Sequence, residues 1–237
     1  MLKIRCSQLS KIMALPRAIK DRGDLSQGAK TYIQQLAKES FFDYVPIISS
    51  KYIDKGNECE NDSIALLNEL MVERGEFIEY SKNAVRYKNE YLTGEPDIIS
   101  MFEKMVRDTK TSWNLDSFPA SIESAIAQSN ASDYEWQGRG YMMLLNEHGI
   151  EVNKHSVDYC LVDTPLHLIS PFDLSLHEFD FPVKARVTSV VYERCLEKEE
   201  FIRERCRLAQ AYYIKAINQI YADHDMQSPL TQEVIDA

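Results

Sequence analysis

The stretch GEPDIISMFEKMVRDTKTSW, Gly94 to Trp113, decides the fold. Two apolar runs, Asp97 to Phe102 and Met105 to Thr111, are separated only by Glu103 and Lys104, which suits a hairpin of two strands. Side chains alternate along a strand, so Asp108 and Lys110 point to one face and Thr109 to the other. Pro96 biases the residue before it toward extended backbone, and Gly94 permits a sharp turn. Asp97 is therefore expected at a rigid strand start, where its carboxylate can converge with that of Asp108. Two carboxylates, the backbone carbonyl of Thr109 and water would make a hard oxygen site of the kind Mg2+ prefers. The alternative for the same residues is a solvated hairpin face carrying an ordinary Asp-x-Lys.

Outward from this hairpin, the pattern alternates between helical and extended periods. Upstream, Ser7 to Met13 reads as a short helix, residues 14 to 25 as a basic loop, and Ser26 to Glu39 as a helix. Lys51 to Gly75 reads as a long helix, or a loop followed by one, with Ile64, Leu66, Leu67, Leu70 and Met71 forming its apolar stripe. Ala84 to Leu92 alternates as a strand. Downstream, Leu115 to Pro119 breaks the pattern and Ser132 to His148 reads as a helix despite Gly138 and Gly140. Ser156 to Asp163 is expected as a strand, residues 164 to 180 as a loop, Val183 to Glu193 as a strand, and Leu196 to Tyr221 as a long amphipathic helix. This order predicts an α/β (α+β) fold, a central mixed β-sheet flanked by helices. It also predicts one domain over residues 1–222 and a polar, frayed tail at 223–237.

Bulk composition narrows the function. The chain has 237 residues, 44% hydrophobic and 27% charged, as expected of a globular protein with a sizeable core. Its five cysteines (Cys6, Cys59, Cys160, Cys195, Cys206) are odd in number and scattered, which argues against a disulfide framework and for a reducing compartment. The N-terminus lacks the apolar core of a signal peptide, and no apolar run is long enough to span a membrane. The net charge of −10 weighs mildly against nucleic acid. Charge is segregated, however: Met1 to Gln35 holds seven basic residues against two acidic ones, a local balance of +5. No phosphate-binding loop points to ATP, and the five histidines lack paired ligand spacing.

Two further segments bear on chemistry. Lys55-Gly56-Asn57-Glu58-Cys59-Glu60-Asn61-Asp62 heads the long helix, and Tyr134 to Met142 opens the helix after the strands. Alone, Glu60 reads as a helix-surface glutamate and Gln137 as a solvated glutamine. In order, Gly56-x-x-x-Glu60-Asn61-Asp62, Glu95-Pro96-Asp97, Asp108-Thr109-Lys110 and Gln137 to Met142 resemble the motifs of the PD-(D/E)xK nuclease superfamily. More narrowly, they resemble the lambda-type exonucleases, the YqaJ-like viral recombinase family, with Asp108 where many members carry Glu. The resemblance covers roughly Ile4 to Tyr213, and its specificity lies in the order of the motifs.

The resemblance implies site roles. Asp97 and Asp108 would ligate metal together with the carbonyl of Thr109, and Glu60 would complete or extend that site. Glu58 is a rival to Glu60, but the helix spacing and the Asn-Asp that follow favour Glu60. Lys110 would position the nucleophilic water, Gln137 would hold the geometry, and Tyr141 would pack or contact a backbone phosphate. Ile4 to Met13 is similar to the family's short helix near the DNA end, with Ser7 at its small hydroxyl position. Lambda-type members carry an Arg for the 5′-phosphate on a longer lead, which this chain is expected to lack; Lys3, Arg5 and Lys11 are the candidates to replace it. Trp113 is a rim residue or a base-stacking one.

The implied function is a Mg2+-dependent deoxyribonuclease (with Mn2+ as an alternative), a 5′→3′ exonuclease on linear double-stranded DNA in phage-type recombination. Its expected partners are DNA ends, a single-strand annealing protein and further copies of itself, a trimer by resemblance, in the bacterial host cytoplasm and without a membrane. Alternatives are an endonuclease, an iron–sulfur nuclease of the CRISPR-adaptation type, or a catalytically silent DNA-binding or assembly protein on the same fold.

Overall fold

The computed structural model describes residues 1–230. In chain order its elements are β1 (Ile4–Arg5), α1 (Ser10–Met13), α2 (Gln27–Phe41), α3 (Lys51–Glu58), α4 (Glu60–Glu73), β2 (Tyr87–Lys88), β3 (Leu92–Gly94), β4 (Ile98–Ser100), β5 (Met105–Thr111), α5 (Ile122–Ala131), α6 (Tyr134–Glu147), β6 (Lys154–Cys160), β7 (Val187–Glu193) and α7 (Leu196–Asp223). Residues 231–237, the end of the expected tail, lie outside the described residues.

The main sheet has the order β4-β5-β6-β7. β4 and β5 form the antiparallel hairpin expected from the sequence, with Ser100 opposite Met105. Lys104 takes a left-handed conformation (φ 50°) to close it. β5 runs parallel to β6, a step that requires a crossover, and α5 and α6 supply it. β7 returns antiparallel to β6. Alternation along β5 sorts its side chains between two helical layers. Thr111 bonds Ser63 of α4 at 2.9 Å on one face, while Asp108 meets Gln137 of α6 on the other.

Each face carries a core. On the α6 side, Ile12, Ile33, Val106, Leu145, Ile202 and Ile217 join α1, α2, α6 and α7. On the α4 side, Leu67, Leu70 and Met71 pack with Ile98 and Cys160. Burying each such side chain contributes about 1.5–3 kcal/mol, so both layers are firmly seated on β5.

Several expected elements are redrawn. The run Ala84 to Leu92 is not one strand. Asn89 accepts the amides of Tyr91 and Leu92 (3.0 and 2.7 Å) and reverses the chain. β2 and β3 therefore form a second small sheet, ordered β1-β3-β2, rather than part of a single mixed one. The expected long helix bends at Cys59 (φ −94°, ψ 11°) into α3 and α4. Helix α5 was not expected at all. The last strand starts at Val187, because a 3-10 turn occupies Val183–Ala185 after Pro182. Gly94 does not turn the chain; it lies inside β3. A Cβ there would stand 2.7 Å from the Tyr141 ring, so its role is to make room for that ring.

Candidate active site

Asp97 stands immediately before β4, where that strand ends and leaves the edge of β5 open. Its Oδ2 accepts both the backbone N–H and the hydroxyl of Thr109, at 2.6 and 2.8 Å. Asp97 is thus fixed to the neighbouring strand by two bonds to the residue next to Asp108. From the other side, Lys110 places its ammonium 2.5 Å from Asp108 Oδ2. Gln137 of α6 donates from Nε2 to Asp108 Oδ1 (2.8 Å) and to the Tyr141 hydroxyl (3.0 Å). Its Oε1 accepts weakly from Lys110 at 3.4 Å. Gln137 and Tyr141 share a helix face because they are four residues apart.

This constellation forms the floor of a cleft of about 1130 Å³. Arg5, Ser7, Glu60, Trp113 and Tyr134 also line it. Glu60 heads α4 and lines the same cleft, but its carboxylate is taken by Lys82 at 2.8 Å. Glu58 is not among the residues lining the cleft and pairs with His167 at 3.2 Å. Lys11 lies outside the cleft, its ammonium 4.9 Å from the centre of the Tyr32 ring. Lys3 also lies elsewhere and donates to the Asn89 carbonyl. Arg5 is the one member of that trio in the cleft. Trp113 lines the cleft half-buried, edge-on to Tyr52 (5.1 Å) and His177 (4.8 Å).

The charges in the cleft act on one another. Burial, then the Asp108 carboxylate beside it, pushes the Asp97 carboxyl up to about 7; Lys110 and the Thr109 bonds oppose this. Burial pushes the Lys110 ammonium down, but Asp108 and the Tyr134 and Asp97 oxygens outweigh it and the net shift is upward. Asp108 Oδ2 is buried and accepts no well-directed hydrogen bond, despite the nearby ammonium. Among the described residues no three His, Cys, Asp or Glu side chains gather as a complete metal-binding set. What the floor offers is two converging carboxylates, one of them paired with the Lys110 ammonium, next to a backbone strand.

Two participants were missed by the sequence reading. Tyr134 places its ring 4.4 Å from the Lys110 ammonium, a cation–π contact. It lies three residues before Gln137, so the helix period could have found it. Lys82, which holds Glu60, comes from an irregular segment with no such signal.

The seat of α6 against the sheet decides whether Gln137 reaches Asp108. Gly138 makes that seat possible: a Cβ there would fall 1.8 Å from the ring of His155 on β6. His155 is fully buried with neither ring nitrogen hydrogen-bonded, and it stacks on Tyr192. Burial, then the Lys110 charge, holds its imidazole down at about 3, so it is neutral.

The fold and cleft have solved counterparts. A phage-related exonuclease from Haemophilus somnus 129PT superposes with a TM-score of 0.81 at 35% identity, over 94% of this chain and 96% of that one. The alkaline exonuclease LHK-Exo from Laribacter hongkongensis superposes at 0.63 and 12% identity, over 94% and 93%. Its complex with dAMP superposes at 0.57 over the same shares and 12% identity. These last two share the fold alone. No protein-family model and no curated protein matches the chain. By its 35% identity across nearly the whole of a phage-related exonuclease, the chain belongs to the lambda-type exonuclease, YqaJ-like viral recombinase family, and its fold is that of the PD-(D/E)xK nucleases.

Proposed function

We propose that the protein is a Mg2+-dependent deoxyribonuclease that degrades linear double-stranded DNA from its 5′ ends in phage-type recombination. The observation that carries this reading is the Asp97, Asp108, Lys110 and Gln137 constellation on the floor of one cleft. Family membership supports a phage-type exonuclease; the metal, the polarity and the duplex substrate are our reading.

The donor set fits a small hard cation. Two carboxylates are in place, Asp97 with its proton affinity raised by burial first and by Asp108 second, and Asp108 Oδ2 accepts no well-directed hydrogen bond. Mg2+ is usually held by one or two carboxylates and keeps several waters, so the lack of a third ligand is no obstacle. Asp97, Asp108 and the Thr109 carbonyl would hold it, with Mn2+ as an alternative. Bound there, the cation would polarise the scissile phosphate and lower the pKa of a water.

The remaining work falls to the chain. Lys110, held as an ammonium by Asp108, can donate to the attacking water and to the charge that grows on the phosphate oxygens. Gln137 fixes Asp108 Oδ1, and the Lys110 ammonium stands 2.5 Å from Oδ2, so a cation at Oδ2 would share that oxygen with the lysine. Tyr134 would help hold the ammonium through its cation–π contact. Tyr141 is buried against Gly94, so its part is to brace Gln137. Arg5 and Ser7, which line the cleft, would meet the terminal phosphate or backbone of a DNA end. Glu60, which also lines the cleft, would extend the site once Lys82 releases it.

We extend the proposal to a bacterial host cytoplasm, a homo-oligomer such as a trimer, and a single-strand annealing protein that takes up the exposed strand. A catalytically silent role has less to support it, because a silent protein has no need of two neighbouring carboxylates with a lysine beside them. The buried cysteines are divided between separate cores, Cys6 and Cys206 in one and Cys59 and Cys160 in another, which does not favour an iron–sulfur branch. The test is cleavage of linear duplex with Mg2+ and no ATP. Release of mononucleotides from 5′ ends supports the reading, nicking of closed circles would indicate an endonuclease, and binding without cleavage would indicate the silent form.

A further inference from the structure

Lys55 is one of the largest fully buried side chains in the protein, at 1% exposure, yet it carries a charge. Among the described residues no carboxylate lies within ion-pair distance of it. Its ammonium instead donates to two main-chain carbonyls, Val162 at 2.8 Å and Trp113 at 3.0 Å. The Trp113 carbonyl faces two further polar groups, the ring of His177 at 3.2 Å and the Thr164 hydroxyl at 3.4 Å. Burial pulls the ammonium down to about 8, so the site is an unfavourable place for a cation. A methionine of similar length would fill the same space without burying charge. The ammonium therefore needs a reason.

Its position supplies one. Lys55 lies on α3, between Tyr52 and Gly56, both of which line the cleft. Trp113 follows Lys110 by three residues, at the exit of β5, and its ring meets Tyr52 edge-on at 5.1 Å. Val162 lies just past the end of β6. One ammonium thus ties the helix that forms one wall of the cleft to the exits of the two strands that form its floor. Among the described residues no other hydrogen bond joins α3 to Trp113.

We propose that Lys55 is a positioning residue: its ammonium fixes α3 and Trp113 at the separation that grips the substrate strand. It does not touch the reacting atoms. Because it acts on the width of the mouth, its loss weakens substrate binding more than the chemical step. This rests on the nuclease reading for what enters the cleft, but not for the clasp itself.

The chain has two tryptophans, so a Trp136→Phe background leaves Trp113 as the sole indole reporter. In that background Lys55→Met is expected to fold, to shift Trp113 emission to the red and to raise its quenching by acrylamide. On linear duplex, KM is expected to rise about tenfold while kcat changes by less than about threefold, the signature of lost uniform binding. Lys55→Gln retains a donor at nearly the same length, and is expected to fall between wild type and Lys55→Met in both readouts. Unchanged emission and KM in Lys55→Met would overturn the proposal, as would a fall in kcat at constant KM. Failure of both variants to fold would assign Lys55 to stability alone and also overturn it. If the parent protein cleaves no DNA, the nuclease reading fails, and the emission and quenching of Trp113 still decide the clasp.

Discussion

Asp97 gives the cleft a pH signature of its own. Its carboxyl is raised from an ordinary 3.8 to about 7, by burial first and by Asp108 second. A raised acid favours the protonated folded state, so the metal-free protein should lose stability as pH climbs from about 4 through about 7, with no further loss from this group above that. Asp97→Asn removes the titration and keeps an acceptor for the Thr109 N–H. It should therefore melt higher than wild type at pH 8 without metal, and show a flatter dependence on pH between 5 and 8. The same variant should lose cleavage. Equal pH slopes in the two proteins would contradict the assignment. Asp108→Asn and Lys110→Met should each lower kcat by about 10²- to 10³-fold or more, since each removes charge aimed at the reacting phosphate. Circular dichroism checks that the fold survives. The Asp97, Asp108 and Lys110 trio was legible in the sequence because strand alternation and the Pro96 step constrain it. The Tyr134 ring and the Lys82 clasp on Glu60 were not, since neither follows from a period within the hairpin.

At the scale of elements, helix α6 is the piece that completes the site, and Gly138 sets how deeply it sits. Glycine inside a helix is less favourable than alanine by about 1 kcal/mol, so Gly138→Ala should stabilise if the site had room. It has none, with a Cβ 1.8 Å from the His155 ring. Overpacking of this kind costs about 1–3 kcal/mol, which outweighs the helical gain. Gly138→Ala should therefore lower Tm and draw Gln137 away from Asp108, with a loss of activity larger than its loss of stability explains. Gly138→Ala combined with His155→Ala should recover part of the Tm, a non-additive pair measured by a double-mutant cycle. Strict additivity would show that the two residues do not share the space. The sequence made α6 and the β4–β5 hairpin plain, because long apolar periods and a short link define them. It hid α5, whose buried positions are the small Ala125 and Ser129 while Ile122 and Ile126 face solvent. It also hid the β2–β3 reversal, because the alternation of Val85, Tyr87 and Tyr91 continues past Asn89, and only that side chain's bonds to the backbone reverse the strand.

For the whole molecule, two layers of helix hold one sheet so that chemistry converges where β4 stops short of β5. A cation bound at that point stabilises the folded chain by mass action. Millimolar Mg2+ should raise the Tm of the wild type at pH 8 and leave that of Asp108→Asn nearly unchanged, as read by calorimetry. An equal rise in both would place the ion elsewhere. The α/β class came from the order of elements and the family resemblance from the order of motifs along the chain, whereas the division into two sheets depends on side-chain bonds to the backbone that no period reveals. The most direct test of the central claim is a time course on linear duplex labelled at one 5′ end, with Mg2+, without ATP, and with Lys110→Met in parallel. The predicted result is early release of the label as a mononucleotide by the wild type, and none by the variant. Label retained on full-length strand while closed circles are cut, or equal activity in the variant, would contradict it.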